Sequence, residues 1–243
     1  MQALVIGDIH GCLPELTALI GAIPSDCTPY LVGDLIDRGP SSEAVIDYVR
    51  ANSIACVRGN HEAMAIEALP LLREYIADPT PGARYYLGGT DWFYNGGHDV
   101  FNQYIANSSL EKLVSDIEWL ATLPLFITTG IVDSDGLELL VSHTFTGKYR
   151  DLALVAALDP FDFVWSREQP DGAYETYYNI FGHTPTNYLT RLASPPEPIF
   201  HPTACNIDTG CCYPTTGRGV LTGVYFPSLS VIQINLGASH VTT

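Results

Sequence analysis

Leu31-Val32-Gly33-Asp34-Leu35-Ile36-Asp37-Arg38-Gly39-Pro40 is the stretch on which the reading of this chain turns. The apolar run Tyr30-Leu31-Val32 reads as the end of a buried strand, and Gly33 frees the backbone to turn. Asp34, Asp37 and Arg38 then crowd into five positions before Gly39-Pro40 closes the loop. Charged groups at the carboxyl end of a buried strand are costly unless something neutralises them. In α/β sheets that edge is also where ligands bind. A solvated polar loop could carry the same residues, so the flanking sequence has to decide.

Upstream, Ala3–Ile6 reads as a strand that ends in Gly7-Asp8-Ile9-His10-Gly11. Pro14 suits a first helical turn, and Leu16, Leu19, Ile20 and Ile23 follow at helical spacing. Pro24–Pro29 is expected to be a loop into a strand at Tyr30. Downstream of the central stretch, Ser41/Ser42 open a helix with Val45, Ile46 and Val49 inward. A third strand, Ile54–Val57, ends in Arg58-Gly59-Asn60-His61-Glu62, and a helix is expected from about Ala63, disturbed near Pro70. Strand, turn and helix recur three times by residue 76, the pattern of βαβ units and a largely parallel sheet.

The segment Asp78–Asn107 is rich in Gly, Pro, Tyr and Asn and is expected to be irregular, either a lid or a satellite core. Ser108 and Glu111 form a capping-box pattern before Leu110, Leu113, Val114, Ile117 and Leu120. The last half reads as antiparallel sheet. Phe126–Val132 and Leu137–Val141 flank the turn Asp133-Ser134-Asp135-Gly136. Phe163–Ser166 and Tyr178–Phe181 are short apolar runs, and Ser194 to Pro202 is a Pro-rich loop. Ala204–Asp208, Gly219–Phe226 and Leu229–Leu236 are expected as closing strands. Neither repeats nor a linker appear, so residues 1–243 are read as one domain.

The formal charge of −16, from 11 Lys plus Arg against 27 Asp plus Glu, argues against nucleic acid and anionic membrane as partners. The N-terminus lacks the basic and long apolar regions of a signal peptide, and the expected location is cytoplasmic. Cysteines 12, 27, 56, 205, 211 and 212 show no C-x-x-C pair and no zinc-like spacing, and are expected to be reduced thiols.

The residues that can carry chemistry share one position. Asp8 and His10, Asp34 and Asp37, Asn60 and His61, His143, and His183 all follow apolar strand-like runs. Any one of them alone has an ordinary structural explanation, such as a helix cap, a turn or a core histidine. Five strand ends at once point to a metal centre. Asp, Asn and His together suit Mn²⁺, Fe or Zn²⁺ better than Ca²⁺, which wants oxygen only. Two ions need a shared ligand, and Asp34 is the candidate bridge.

At this point the three blocks Gly7–Gly11, Gly33–Gly39 and Arg58–Glu62 resemble the signatures of the phosphoprotein phosphatase family of binuclear metallophosphoesterases. His143, Gly182-His183-Thr184 and Ile207-Asp208-Thr209-Gly210 follow in the family's order, and the resemblance is closest to the bacterial and phage branch. It implies an α/β, calcineurin-like metallophosphoesterase fold, a central β-sandwich of mixed sheets flanked by helices. It also implies roles. Asp8, His10 and Asp34 would hold one ion, and Asp34, Asn60, His143 and His183 the other, with Mn²⁺ favoured over Fe or Zn²⁺. His61, oriented by Asp37, would protonate the leaving group. Arg38, Arg58, Arg167 and Asn60 would grip the phosphate.

No Ser-Ala-Pro-Asn-Tyr block follows Gly210, so the eukaryotic enzymes' last active-site loop is missing. Glu62 and Thr184-Pro185 fit the protein phosphatases better than the symmetrical dinucleoside tetraphosphatases. The expectation is therefore a serine/threonine protein phosphatase, monomeric, acting on a phosphoprotein or a small phosphoester. The alternative is a symmetrical dinucleoside polyphosphate hydrolase or small-molecule phosphoesterase. A catalytically dead binding module is disfavoured because no expected ligand and neither member of the Asp37–His61 pair is missing.

Overall fold

The computed structural model describes residues 2–190, 196–213 and 219–235. Its first sheet grows outward from β1 (Gln2–Ile6), whose Ala3, Leu4, Val5 and Ile6 are all closed to solvent. Leu4 and Ile6 pack toward the helices, while Ala3 and Val5 pack toward a second sheet. A strand covered on both faces must be apolar at every position, which explains the unbroken run in the sequence. β2 (Cys27–Leu31) and β3 (Ala55–Cys56) pair parallel on one side of β1. β9 (Leu221–Phe226) and β10 (Val231–Ile234) pair antiparallel on the other.

The second sheet contains β4 (Phe126–Val132), β5 (Glu138–Ser142), β6 (Tyr177–Phe181), β7 (Ile199–His201) and β8 (Ala204–Asn206), in the order β4-β5-β6-β8-β7. β5, β6 and β8 run parallel, and β4 and β7 flank them antiparallel. The two sheets meet through Val5, Val32, Val57, Leu139, Val141, Ile180, Cys205 and Val224. Each sheet therefore holds three parallel strands whose carboxyl ends open on the site.

Helices α1 (Leu13–Gly21), α2 (Ser42–Ala51), α3 (Asn60–Ala77), α4 (Pro81–Gly88), α5 (His98–Asn107) and α6 (Leu110–Leu120) cover the first sheet through one large apolar cluster. α7 (Leu152–Leu158) and α8 (Asp162–Trp165) lie against the second sheet, where Leu152 and Phe163 meet Leu140. α9 (Thr186–Thr190) follows β6. No helix among the described residues is long and apolar enough to cross a membrane. The architecture is the expected one, two mixed sheets flanked by helices.

Several element readings need correction. The expected irregular segment Asp78–Asn107 is mostly helical: α4, a π-helical turn at Phe93–Gly97, then α5. Burial of Leu87, Trp92, Phe93, Val100, Phe101 and Tyr104 in the main core outweighs the weak helix propensity of its Gly, Asn and Tyr. α3 begins at Asn60 rather than Ala63 and continues through Pro70, which lies on the exposed face where water can serve the carbonyl left without a donor. The cap of α6 is Ser109, whose hydroxyl accepts from the Lys112 N–H at 3.2 Å, not Ser108. β2 starts at Cys27, before the expected Tyr30, and β3 is only two residues long. Phe163–Ser166 is largely the short helix α8, and β7 lies within the stretch read as a Pro-rich loop. The last half is mixed rather than antiparallel. Residues 194, 195 and Leu236 lie outside the described residues.

Candidate metal centre

Each parallel strand delivers its ligands just past its last paired residue. β1 is followed by Asp8 and His10, β2 by Asp34, and β3 by Asn60 and His61. β5 is followed by His143, β6 by His183 and β8 by Asp208. All eight side chains are buried. The loops that hold them are strained. His10, Asp34, Asp37, Arg38 and His183 have positive φ, from 47° to 72°, five of only seven non-glycine residues that do so among the described residues. Such conformations cost roughly 1–3 kcal/mol each and persist only where the surroundings enforce them. Space is equally tight. A Cβ on Gly182 would sit 2.0 Å from Asp8 Oδ1, so only glycine lets the β6 loop close over that carboxylate.

Asp34 lies at the middle of the cluster. Its Oδ2 is 3.5 Å from His10 Nε2 and 4.0 Å from His61 Nε2, and its Oδ1 is 3.5 Å from His143 Nε2. Two groups of ligand atoms therefore share it: His10, Asp34 and His61, and Asp8, Asp34 and His143, each within 4.8 Å. Asp8 accepts from the His183 backbone N–H at 3.1 Å. His10 and His143 donate from Nδ1 to the carbonyls of Ile36 and Val32, both at 2.8 Å. That leaves the Nε2 lone pair of each ring facing inward, the tautomer a metal ligand needs. His143 Nε2 lies 2.9 Å from Asn60 Oδ1, so the Asn60 amide sits at the meeting point of the two histidine loops. His183 Nδ1 lies 2.9 Å from the same oxygen. Its Nε2 and that of His61 are buried without a hydrogen-bond partner.

The electrostatics point the same way. Burial, with repulsion from Asp208 and Asp34, pushes Asp8 well above the usual carboxylate range. Burial raises Asp34 and Asp208 to about 7, and it lowers His143 to about 3. Crowded carboxylates whose charge is disfavoured by burial, beside histidines kept unprotonated, all converge on one point and make a donor set that a divalent cation would stabilise. Each of the two groups that share Asp34 has the donor atoms to hold a metal ion, and Asn60 and His183 lie directly beside them.

His61 donates from Nδ1 to Asp37 Oδ2 at 2.6 Å, and Asp37 Oδ1 accepts from Trp92 Nε1 at 3.0 Å. Burial raises Asp37 and lowers His61, and the indole fixes this hydrogen-bonded pair from behind. The π-helical turn presses on the same loop, since a Cβ on Gly96 would lie 2.8 Å from Asp37 Cβ. The aromatic segment packs into the main core and backs the site through Trp92 and Gly96.

The arginines divide. Arg38 stands at the rim, donating to His10 Nε2 at 2.6 Å, with its guanidinium 5.5 Å from the Tyr213 ring centre. Arg167 donates to Thr184 Oγ1 at 3.2 Å, beside the β6 loop. Arg58 is not brought to the cluster; its guanidinium bonds the carbonyls of Ala121 and Leu123 after α6. Two residues with no assigned role prove central. Asp208 obeys the same strand-end rule as the other ligands. Glu62 accepts from the N–H groups of Gly59, Asp34 and Leu35, each at 2.8 Å, and so fastens the Asp34 loop to α3.

The family model for calcineurin-like phosphoesterases matches residues 1–217. The chain belongs to that family. Among curated relatives, a symmetrical bis(5′-nucleosyl)-tetraphosphatase from Pectobacterium atrosepticum is 43% identical over 177 residues, 70% of this chain. The match spans 53% of that relative, about half its length. A protein of the same description from Klebsiella pneumoniae is 45% identical over 67 residues, 26% of this chain and 24% of its own. In solved structures the family's fold recurs in a metallophosphoesterase from Sphaerobacter thermophilus, with TM-score 0.51 and 19% identity over 97% of this chain and 89% of that one. It recurs too in a protein serine/threonine phosphatase from Saccharomyces cerevisiae, with TM-score 0.52 and 12% identity over 92% and 72%.

Proposed function

We propose that this chain is a metal-dependent phosphoester hydrolase whose substrate is a dinucleoside polyphosphate cleaved symmetrically. The observation that carries the reading is the buried Asp34 carboxylate shared by two donor groups, in a chain 43% identical over 177 residues to a symmetrical tetraphosphatase. Two features had favoured a phosphoprotein. Glu62 is turned into the backbone of the Asp34 loop, and Thr184 accepts from Arg167, so both serve the scaffold and neither speaks for a phosphoprotein.

Divalent ions held by the Asp34 cluster supply Lewis acidity and a water of lowered pKa. The chain's own groups do the rest. Arg38 and Arg167 offer planar donor forks to phosphoryl oxygens, positive charge where a protein of net charge −16 has to bind an anion. Asn60 adds a donor if its amide nitrogen turns to substrate. His61, held at Nδ1 by Asp37, presents Nε2 toward Asp34 and can pass a proton to the departing oxygen. The Tyr213 ring under Arg38, with Tyr188 edge-on at 6.3 Å, forms an aromatic wall beside the phosphate site on which a nucleobase can stack.

The test is a direct comparison of kcat/KM for diadenosine tetraphosphate and a phosphoserine peptide, with Mn²⁺ added. The dinucleotide should be the better substrate and should yield only nucleoside diphosphate. Preference for the peptide, or asymmetric products, would overturn the reading.

A further inference from the structure

Beside the Asp34 cluster, and separate from it, the fold gathers a second set of ligand atoms. Cys12 precedes α1, Glu15 lies in its first turn, and Cys211 follows Gly210 in the turn beyond β8. Their sulfur atoms and a carboxylate oxygen all lie within 4.8 Å of one another, and the two thiols are hydrogen-bonded to each other. Sequence spacing hides this group because its cysteines come from opposite ends of the chain. Cys12 is buried, whereas Glu15 and Cys211 are half-buried, so the group has both a shielded floor and a path from solvent.

We propose that Cys12, Glu15 and Cys211 form a third cation site, selective for thiophilic divalent ions such as Zn²⁺ or Cd²⁺. Two thiolates and a carboxylate, with water in the fourth position, make an ordinary tetrahedral set for such ions. Hardness separates the two centres. The Asp34 cluster offers only oxygen and nitrogen and suits Mn²⁺, while sulfur discriminates against Mn²⁺ and favours softer ions. Binding releases the two thiol protons, so no oxidant or other reactant is needed.

The position gives the site a consequence. Cys12 lies two residues after His10, and Cys211 two residues before Tyr213, the ring beneath Arg38. Cys212, between them, hydrogen-bonds Arg38. An ion bound here ties the turn that carries Tyr213 to the loop that carries His10. The inference does not depend on the substrate proposed above.

The decisive measurement is Cd²⁺ titration of the metal-free full chain under a non-thiol reductant, with bound ions counted and near-ultraviolet absorption recorded. Sulfur-to-metal charge transfer reports a thiolate-ligated ion, which the sulfur-free Asp34 cluster cannot supply, and Cys211→Ser separates this site from the remaining cysteines 27, 56, 205 and 212. Wild type should show the band and bind three ions, and Mn²⁺ should give no band. Cys211→Ser should lose the band and one ion while keeping two. Glu15→Gln, half-exposed on a helix, should keep the band but weaken it at least about tenfold in affinity. Absence of the band in wild type overturns the proposal whatever the variants do, as does its persistence in Cys211→Ser.

Discussion

His61 and Asp37 are separated by 2.6 Å and buried together, and the chemistry asked of them depends on the leaving group. A serine alkoxide departs poorly and needs a full proton, which a positioned acid supplies for a gain of about 10²–10⁴ in rate. A nucleoside diphosphate departs as a phosphate oxygen, whose second pKa is about 6, and needs far less help. His61→Ala should therefore cut turnover of an alkyl phosphate by about 10² or more and that of diadenosine tetraphosphate by much less. Equal losses on the two substrates would remove His61 from the acid role. At this scale the sequence was informative wherever a ligand sat directly past a strand. Asp8, His10, Asp34, Asn60, His143 and His183 do converge, and Asp208 would have joined them had the rule been applied at Ile207. Arg58 shows where the rule stops. It too follows a strand, yet its side chain leaves toward the Ala121 and Leu123 carbonyls, and backbone position alone does not say which way a long side chain turns.

The segment from α4 through α5 shows how an element can be misread and still matter. Its glycines, asparagines and tyrosines predict irregular chain, but Trp92, Phe93, Phe101 and Tyr104 are drawn into the main core and their burial sets the backbone. Tyr85, Tyr86 and Tyr94, the residues that suggested a lid, are the exposed remainder. What the segment contributes is the indole N–H on Asp37, the one donor that fixes the second carboxylate oxygen of the acid pair. Trp92→Phe keeps the aromatic volume and removes that donor. It should lower kcat with little change in KM and cost about 1–3 kcal/mol of stability, read by kinetics and by denaturant unfolding. An unchanged kcat would reduce the segment to packing.

Across the whole molecule, the parallel half of the first sheet was legible because strand, turn and helix recur three times with clear periodicity, and the second sheet was not. β5, β6 and β8 are parallel, but what joins them is short helices and loops rather than one long amphipathic helix, so nothing local announces the pairing. The two sheets together bury Asp34 and Asp208, each raised from an ordinary 3.8 to about 7. A folded-state pKa above the unfolded one means that ionisation works against the fold. This contribution is full below about 3.8 and lost as pH rises through about 7. The buried histidines, lowered from 6.5, oppose this trend up to pH 6.5, so metal-free protein should lose thermal stability between pH 6.5 and pH 8, whereas ion-loaded protein should not, and ion affinity should rise over the same range. Melting curves with and without Mn²⁺ decide it, and a metal-free form that gains stability on raising the pH across that range would refute the assignment. The six parallel strand ends carry one more implication, for assembly. The first three loops end at His61 and the last three begin at His143, so about 80 residues of chain separate the two halves of the cluster. The donor groups that share Asp34 therefore come from both sheets and meet only when the two sheets pack together.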